Sequence, residues 1–214
     1  KRTKHFEELL ADYIGVKHCV VVNNGTISLS LAAMAVGIKA GDEVIVPNYT
    51  MIASPNSLKM FGAKPVFVEI DKETWNIDTD LIESKISIKT KAILVTNVYG
   101  FPCNFQKLHE ICSKHNLILI EDAAESFGAE YEGQKSGSLA DISTFSFFGN
   151  KTITTGEGGM ILTKSAEIFS KIEQLKNQGN SKTKRYYHEV LGYNYRMTNV
   201  QAAIGCAQLD KIEL

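Results

Sequence analysis

The chain is poor in several features, and each shortage excludes a class of protein. Its four cysteines, Cys19, Cys103, Cys112 and Cys206, are too few for a disulfide scaffold and too widely spaced for a zinc cluster. Reduced, structural thiols are therefore expected. No apolar run approaches the roughly 20 residues needed to cross a bilayer. The basic start Lys1-Arg2-Thr3-Lys4-His5 leads into no apolar signal core. A net charge of −1 gives no electrostatic reason to invoke nucleic acid or an anionic membrane as a partner. The histidines form no metal constellation: His109 and His115 fall on or at the end of one predicted helix, His5 and His18 near the start. His188 precedes a Gly-Tyr-Asn-Tyr stretch, where it either faces a ligand or is solvated. What remains is the composition of a cytoplasmic globular domain, 44% hydrophobic and 22% charged, whose 214 residues can bury one sizeable core.

Patterning supplies the fold class. Seven segments, most of them Val/Ile-rich, at about 19–23, 43–47, 65–70, 91–98, 117–121, 141–147 and 159–163, read as strands. They alternate with helical patterns at about 4–14, 26–36, 50–61, 78–86, 104–115, 165–177 and 198 onward, which predicts an α/β chain with a largely parallel sheet covered on both faces. Asn104 and Ser165 are placed to cap their helices, with Phe105, Leu108, Ile111 and Cys112 lining one face of the first and Ile168, Ile172 and Leu175 one face of the second. Thr198 to Gln201 reads as a capping box, with Val200, Ala203, Ile204 and Ala207 expected on the buried side of a helix that runs on to Leu214. The polar stretch 71–80 reads as a surface connection, and there is no repeat or linker.

Three places carry chemistry. Lys151 ends the run Thr144-Phe145-Ser146-Phe147-Phe148-Gly149-Asn150-Lys151 and precedes the glycine-rich Gly156-Glu157-Gly158-Gly159. An amine at the end of an apolar strand, desolvated by Phe147 and Phe148, suits a Schiff base with an aldehyde or ketone; a strand-end lysine snorkelling into water fits the same pattern. Upstream, the buried-strand run Leu117-Ile118-Leu119-Ile120 delivers Glu121-Asp122 to the sheet edge where ligands gather in open α/β folds. Asp122 there is placed to hold a protonated ring nitrogen, or both acids cap the next helix. Finally, Asn23-Asn24-Gly25-Thr26 joins a strand to a helix start, where backbone N–H groups bind phosphate and Gly25 permits close approach, although Asn-Gly is also an ordinary turn. Ser146 either adds a hydroxyl to that phosphate or is a strand serine.

A phosphate cradle, a ring-nitrogen acid and a Schiff-base lysine, in that order, resemble the DegT/DnrJ/EryC1/StrS family of sugar aminotransferases, which are fold-type I pyridoxal-phosphate enzymes. The resemblance runs through Asn24-Gly25-Thr26, Gly41 to Pro47, Gly62 to Val68, Glu121 to Glu125, Gly137-Ser138-Leu139, Phe145-Ser146-Phe147, Asn150-Lys151, Gly156 to Gly159 and Gly192 to Met197, and so covers nearly the whole chain. The forms Thr154 to Met160 and Tyr195 to Asn199 look most like perosamine-synthase-type members, which aminate C4 of a nucleotide-linked 4-keto-6-deoxyhexose.

The resemblance implies the large pyridoxal-phosphate-binding domain of a fold-type I aminotransferase, a mostly parallel seven-stranded sheet between helices in three αβα layers. Residues 1–214 make up that domain, and the family's smaller C-terminal domain is expected to be absent from this stretch. Lys151 is the implied Schiff-base lysine and proton shuttle, and Asp122 the partner of the pyridine nitrogen. Gly25, Thr26 and Ser146 hold the phosphate. Met51 takes the place where relatives often put an aromatic over the ring. Glu125, where many members have Gln or His, lies by the ring's phenolic oxygen or its face. Asn194 crosses to the neighbour's phosphate, which makes the active unit a homodimer. A nucleotide-linked keto sugar and glutamate are the implied substrates, with no metal. A 3-keto nucleotide sugar and a non-catalytic, regulatory homologue are the alternatives. A related dehydratase would carry histidine in place of Lys151.

Overall fold

Alternation along the strands assigns the two faces of one central sheet in the computed structural model, which describes residues 1–212. In β1 (His18–Val22), Val20 and Val22 join one core cluster, while Cys19 and Val21 join another. In β2 (Glu43–Pro47), Val44 and Val46 face the first core and Ile45 a third, as Ala92 and Leu94 oppose Ile93 and Val95 in β4 (Thr90–Thr96). With β3 (Lys64–Val68), β5 (Ile118–Asp122), β8 (Ile142–Ser146) and β9 (Gly159–Thr163), these form a seven-stranded sheet in the order β1-β9-β8-β5-β4-β2-β3. Only β9 runs against its neighbours; the other pairings along the β8-to-β3 half are parallel. A two-residue hairpin, β6 (Glu130–Tyr131) with β7 (Gln134–Lys135), stands apart from it and is absent from the sequence reading.

Helices cover both faces. On one side α2 (Gly25–Ala35), α3 (Ala53–Lys59) and α6 (Ala166–Lys176) pack on β1, β2, β4 and β8 through Leu31, Leu58 and Ile172. On the other, α1 (Arg2–Ile14) and α7 (Asn199–Leu209) enclose Phe6, Leu10 and Phe147, while α5 (Phe105–His115) and the single turn α4 (Thr79–Ile82) enclose Leu108, Ile111 and Ile82. The expected three-layer αβα architecture is therefore observed. Asn104 and Ser165 cap α5 and α6 by accepting the N–H groups of Lys107 and Ile168, and Thr198 and Gln201 form the capping box of α7. All four cysteines are buried and free. No helix among the described residues is long and apolar enough to cross a membrane.

Several expectations change. The helix expected over 50–61 spans only Ala53–Lys59, and the released segment Asn48–Ile52 wraps onto the sheet edge; Pro55, which has no N–H to give, sits in the helix's first turn. The helix expected over 78–86 is one α turn continued by a tighter 3₁₀ turn, Glu83–Lys85. In α7 the expected apolar face is the exposed one: Val200 and Ile204 face out, and Ala202, Gly205, Cys206 and Leu209 are buried. Close approach of α1 selects the small residues, because a Cβ on Gly205 would collide with the Phe6 ring. That helix ends at Leu209, and its expected run to Leu214 extends beyond residue 212, outside the described residues. Finally, Lys151 is in the loop after β8, not at the strand's end; Phe147 is turned into the core, while half-exposed Phe148 lines the same cleft as the amine.

A buried ion pair joins the end of α6 to α1. Lys176, 7% exposed, reaches Glu7 Oε1 at 3.4 Å and Glu173 Oε1 at 2.5 Å. Glu7 also accepts the Val21 N–H at 3.0 Å, and burial pushes its carboxyl above the usual 4.5 against the pull of Lys176. Lys176→Met is expected to cost about 3 kcal/mol in urea unfolding at pH 7, because it leaves the Glu7 charge buried and alone. A carboxyl whose folded pKa is raised adds stability only when protonated, so the deficit shrinks as the pH falls toward 4.5. An equal deficit at both pH values would show that packing, not charge, is at stake.

Candidate active site

The carboxyl ends of β5 and β8, the start of α2 and the loop after β8 surround a cleft of about 580 Å³. Gly25, Thr26, Met51, Asp122, Glu125, Ser146 and Lys151, all singled out from the sequence, line it together. Asn194 does not. It is exposed beyond the cleft, where its Oδ1 accepts the Arg196 Nε–H at 2.9 Å. His188 is likewise remote, bonded to the Gln178 carbonyl at 2.7 Å.

Each wall has a local cause. Strand β1 ends at Val22, and Asn24 caps α2 by accepting the N–H of Ile27 at 2.9 Å and, through its carbonyl, that of Ser28 at 3.1 Å. The Gly25 and Thr26 N–H groups are first-turn donors that the helix itself has no means of satisfying. A Cβ on Gly25 would lie 2.7 Å from the Ser146 Cβ, so only glycine lets the helix start meet the end of β8. Gly159 plays the matching part opposite, since a Cβ there would overlap the Asn24 backbone.

Lys176 and Lys151 are both withdrawn in part from bulk water, and they differ. Lys176 is held by two carboxylates, whereas half-buried Lys151 lines the cleft and its ammonium enters none of the ion pairs among the described residues. A second hollow of about 520 Å³ borders Lys176 and Glu7, but its amine is already committed.

The acid pair at the end of β5 divides by strand alternation. Glu121 points away from the cleft and is fully buried; its Oε1 accepts from Asn97 Nδ2, Ser136 Oγ and the Gly137 N–H at 2.8–2.9 Å, and its Oε2 from Ser143 Oγ at 2.7 Å. It ties β4, β8 and the hairpin together and caps no helix. Asp122 faces the cleft. Its Oδ2 accepts the Ser54 hydroxyl at 2.7 Å and its Oδ1 the Ala124 N–H at 3.2 Å. Burial pushes the Asp122 carboxyl above its usual 3.8, while those hydrogen bonds and the nearby Lys151 charge pull the other way.

Glu125 has a partner that sequence reading left open. Its Oε2 accepts the N–H of Tyr99 at 2.8 Å, where Tyr99 holds a left-handed φ of 52°. The Tyr99 hydroxyl meets that of Tyr49 at 2.8 Å, and Tyr49 packs edge-on to Trp75, so an aromatic rim stands beside the cleft. Ser54, Thr50 and Thr96, which carry the hydrogen bonds behind Asp122, were also missed. They are distant in sequence and belong to no motif; only the end of β4 opposite Asp122 in the register marks Thr96.

Comparisons with known proteins supply the family. The chain is 52% identical over 208 residues to GDP-perosamine synthase of Caulobacter vibrioides, covering 97% of this chain and 56% of the relative. It is 50% identical to GDP-perosamine synthase of Escherichia coli O157:H7, covering 97% and 57%. It is also 40% identical, at 97% and 57% coverage, to UDP-2-acetamido-2-deoxy-3-oxo-D-glucuronate aminotransferase of Pseudomonas aeruginosa. Among solved structures, PseC of Helicobacter pylori, an aminotransferase involved in pseudoaminic acid biosynthesis, superposes with a TM-score of 0.95 at 33% identity, covering all of this chain and 58% of that one. An aminotransferase from Psychrobacter cryohalolentis gives 0.93 at 37% identity, covering 98% and 56%. The chain thus spans little more than half the length of the relatives it matches. The family model of the DegT/DnrJ/EryC1/StrS aminotransferases matches residues 1–214, and the chain belongs to that family.

Proposed function

We propose that this chain is the large, cofactor-binding domain of a pyridoxal-phosphate-dependent aminotransferase that converts a nucleotide-diphosphate-linked 4-keto-6-deoxyhexose to its 4-amino sugar, with glutamate as amino donor. The observation that carries the reading is one cleft holding an uncommitted amine, Lys151, a buried carboxylate, Asp122, and a helix start opened by Gly25. Those residues fit pyridoxal phosphate. The first-turn N–H groups of Gly25 and Thr26 with the Ser146 hydroxyl suit the phosphate, Asp122 suits a protonated ring nitrogen, and Lys151 suits the aldehyde. When bound, the cofactor supplies a ring that takes up the electron pair released at the reacting carbon.

The protein's own groups do the rest. Lys151 Nζ would hold the cofactor through its aldehyde and would carry the proton at the reacting carbon. Asp122 would hold the proton on the ring nitrogen. The Met51 side chain, 65% exposed at the cleft mouth, is available to cover the ring face. Glu125, already accepting the Tyr99 N–H, presents a carboxyl group where many relatives present an amide or imidazole. Asn194, exposed away from its own cleft, serves the phosphate of a second copy in a homodimer. The family's C-terminal domain, outside residues 1–214, completes the site in the full-length cytoplasmic enzyme.

Identities of 50–52% to proteins named for GDP-perosamine synthesis favour a 4-keto substrate, and the 40% relative named for a 3-oxo sugar keeps a 3-keto substrate as the second reading. A non-catalytic role is disfavoured by the intact Lys151 and Asp122. The test is glutamate-dependent amination of 4-keto and 3-keto nucleotide sugars by the full-length protein, followed by mass spectrometry, with sedimentation of the same sample. A dimer that aminates C4 is expected. Preference for the 3-keto sugar would replace the substrate and keep the mechanism; no amination of either would overturn the reading.

A further inference from the structure

Beside Asp122, three hydroxyls form a chain that ends on its carboxylate. Ser54, from the first turn of α3 and fully buried, donates to Asp122 Oδ2 at 2.7 Å. Ser54 Oγ lies 3.2 Å from Thr50 Oγ1, which lies 2.8 Å from Thr96 Oγ1 at the end of β4. A hydroxyl has one proton. With the Ser54 proton committed to the carboxylate, Ser54 accepts from Thr50, and Thr50 in turn accepts from Thr96. The chain therefore has a single direction, each hydroxyl donating toward Asp122, and each bond polarises the next.

Burial opposes a charge on Asp122. The carboxylate is 3% exposed, no cation contacts it directly, and Glu125 stands nearby with a charge of the same sign. A carboxyl in that setting, left without donors, takes a proton itself instead of keeping one on a partner base. The Ala124 N–H at 3.2 Å is its other donor and is the longer contact.

We propose that Ser54, backed by Thr50 and Thr96, is a positioning residue that holds Asp122 ionised and fixes its free edge toward the ring nitrogen of the bound cofactor. The proposal rests on the pyridoxal phosphate reading above. Ser54 acts through Asp122 and touches neither cofactor nor substrate. It decides on which side of the shared bond the proton lies: on the nitrogen while the hydroxyl donates, and on the carboxyl once that donor is removed.

The test uses the full-length enzyme loaded with pyridoxal phosphate labelled with ¹⁵N in the ring, whose nitrogen signal distinguishes protonated from neutral pyridine. At neutral pH the wild type is expected to show the protonated position. In Ser54→Ala the equilibrium between nitrogen-held and carboxyl-held proton should fall about tenfold, the weight of one charge-assisted hydrogen bond. Ser54→Thr, which keeps the hydroxyl, should restore the signal. Ser54→Cys, a near-isosteric weak donor, should move it part of the way, as should Thr50→Val, which leaves Ser54 in place and removes the donor behind it; these two variants decide the matter if the alanine variant fails to fold. A nitrogen signal identical to wild type in the loaded variants, or a loss of cofactor affinity with no movement of that signal, overturns the proposal while leaving the aminotransferase reading intact. A wild-type protein that takes up no cofactor overturns both.

Discussion

Lys151→Ala in the full-length enzyme should lower glutamate-dependent amination by about 10²–10⁴-fold, the range lost with a positioned proton carrier. It should leave the fold alone. Lys151 sits in the loop after β8, half-buried and outside every ion pair among the described residues, so no buried ion pair is broken when it goes. Urea unfolding of the apo variant should therefore stay within about 0.5 kcal/mol of wild type. Lys176→Met provides the opposite pattern, a stability loss with a site that is not in the cleft. Borohydride reduction of the loaded wild type and peptide mass mapping should place the pyridoxyl label on Lys151. A label on Lys176, or an alanine variant with near-native turnover, would give the amine's role to another residue.

Much of this was legible in the sequence because it is carried by local rules. Strands buried on both faces read as short Val/Ile runs, and seven were found where the sheet has seven. Caps at Asn104, Ser165 and Thr198 depend on residues three apart, so they too could be read directly. Gly25, Asp122, Ser146 and Lys151 belong to stretches matched as wholes to one family, and the fold brings them to one cleft. What escaped depends on packing between distant elements. The exposed side of α7 looks like the buried one because its Val and Ile are larger than the Ala, Gly and Cys that the approach of α1 requires. The hydroxyl chain joins residues 46 and 68 positions apart, and serine and threonine carry no periodic signal that would mark them. The partner of Glu125 is a backbone N–H 26 residues away, exposed to it by a left-handed Tyr99. Phe147 was read as a neighbour of the amine because it is close to Lys151 in sequence, whereas it continues the face of Phe145 into the core.

Asp122→Asn separates the site's chemistry from its stability, because the two respond in opposite senses. Turnover in the full-length enzyme should fall by about 10²–10³-fold, since asparagine carries no charge to keep the ring nitrogen protonated and the preorganised electrostatic contribution is lost. Cofactor loading at Lys151 should persist, because that amine and the Gly25 cradle are untouched. Stability of the apo protein should move the other way. Burial raises the Asp122 carboxyl above its usual 3.8, so in the folded state ionisation is disfavoured. A group of this kind contributes stability that is complete below the unfolded-state value and is lost as the pH rises through the folded-state one. At pH 7 the wild type bears that cost and the asparagine variant, neutral at every pH, does not. Urea unfolding should find the apo variant at least as stable as wild type at pH 7, with the comparison turning toward wild type as the pH is lowered to about 4. An acid retained against such a cost is the mark of a residue kept for function. A variant that is less stable at pH 7 and unimpaired in turnover would make Asp122 a structural partner of Ser54 and Ala124, and would remove the acid from the mechanism.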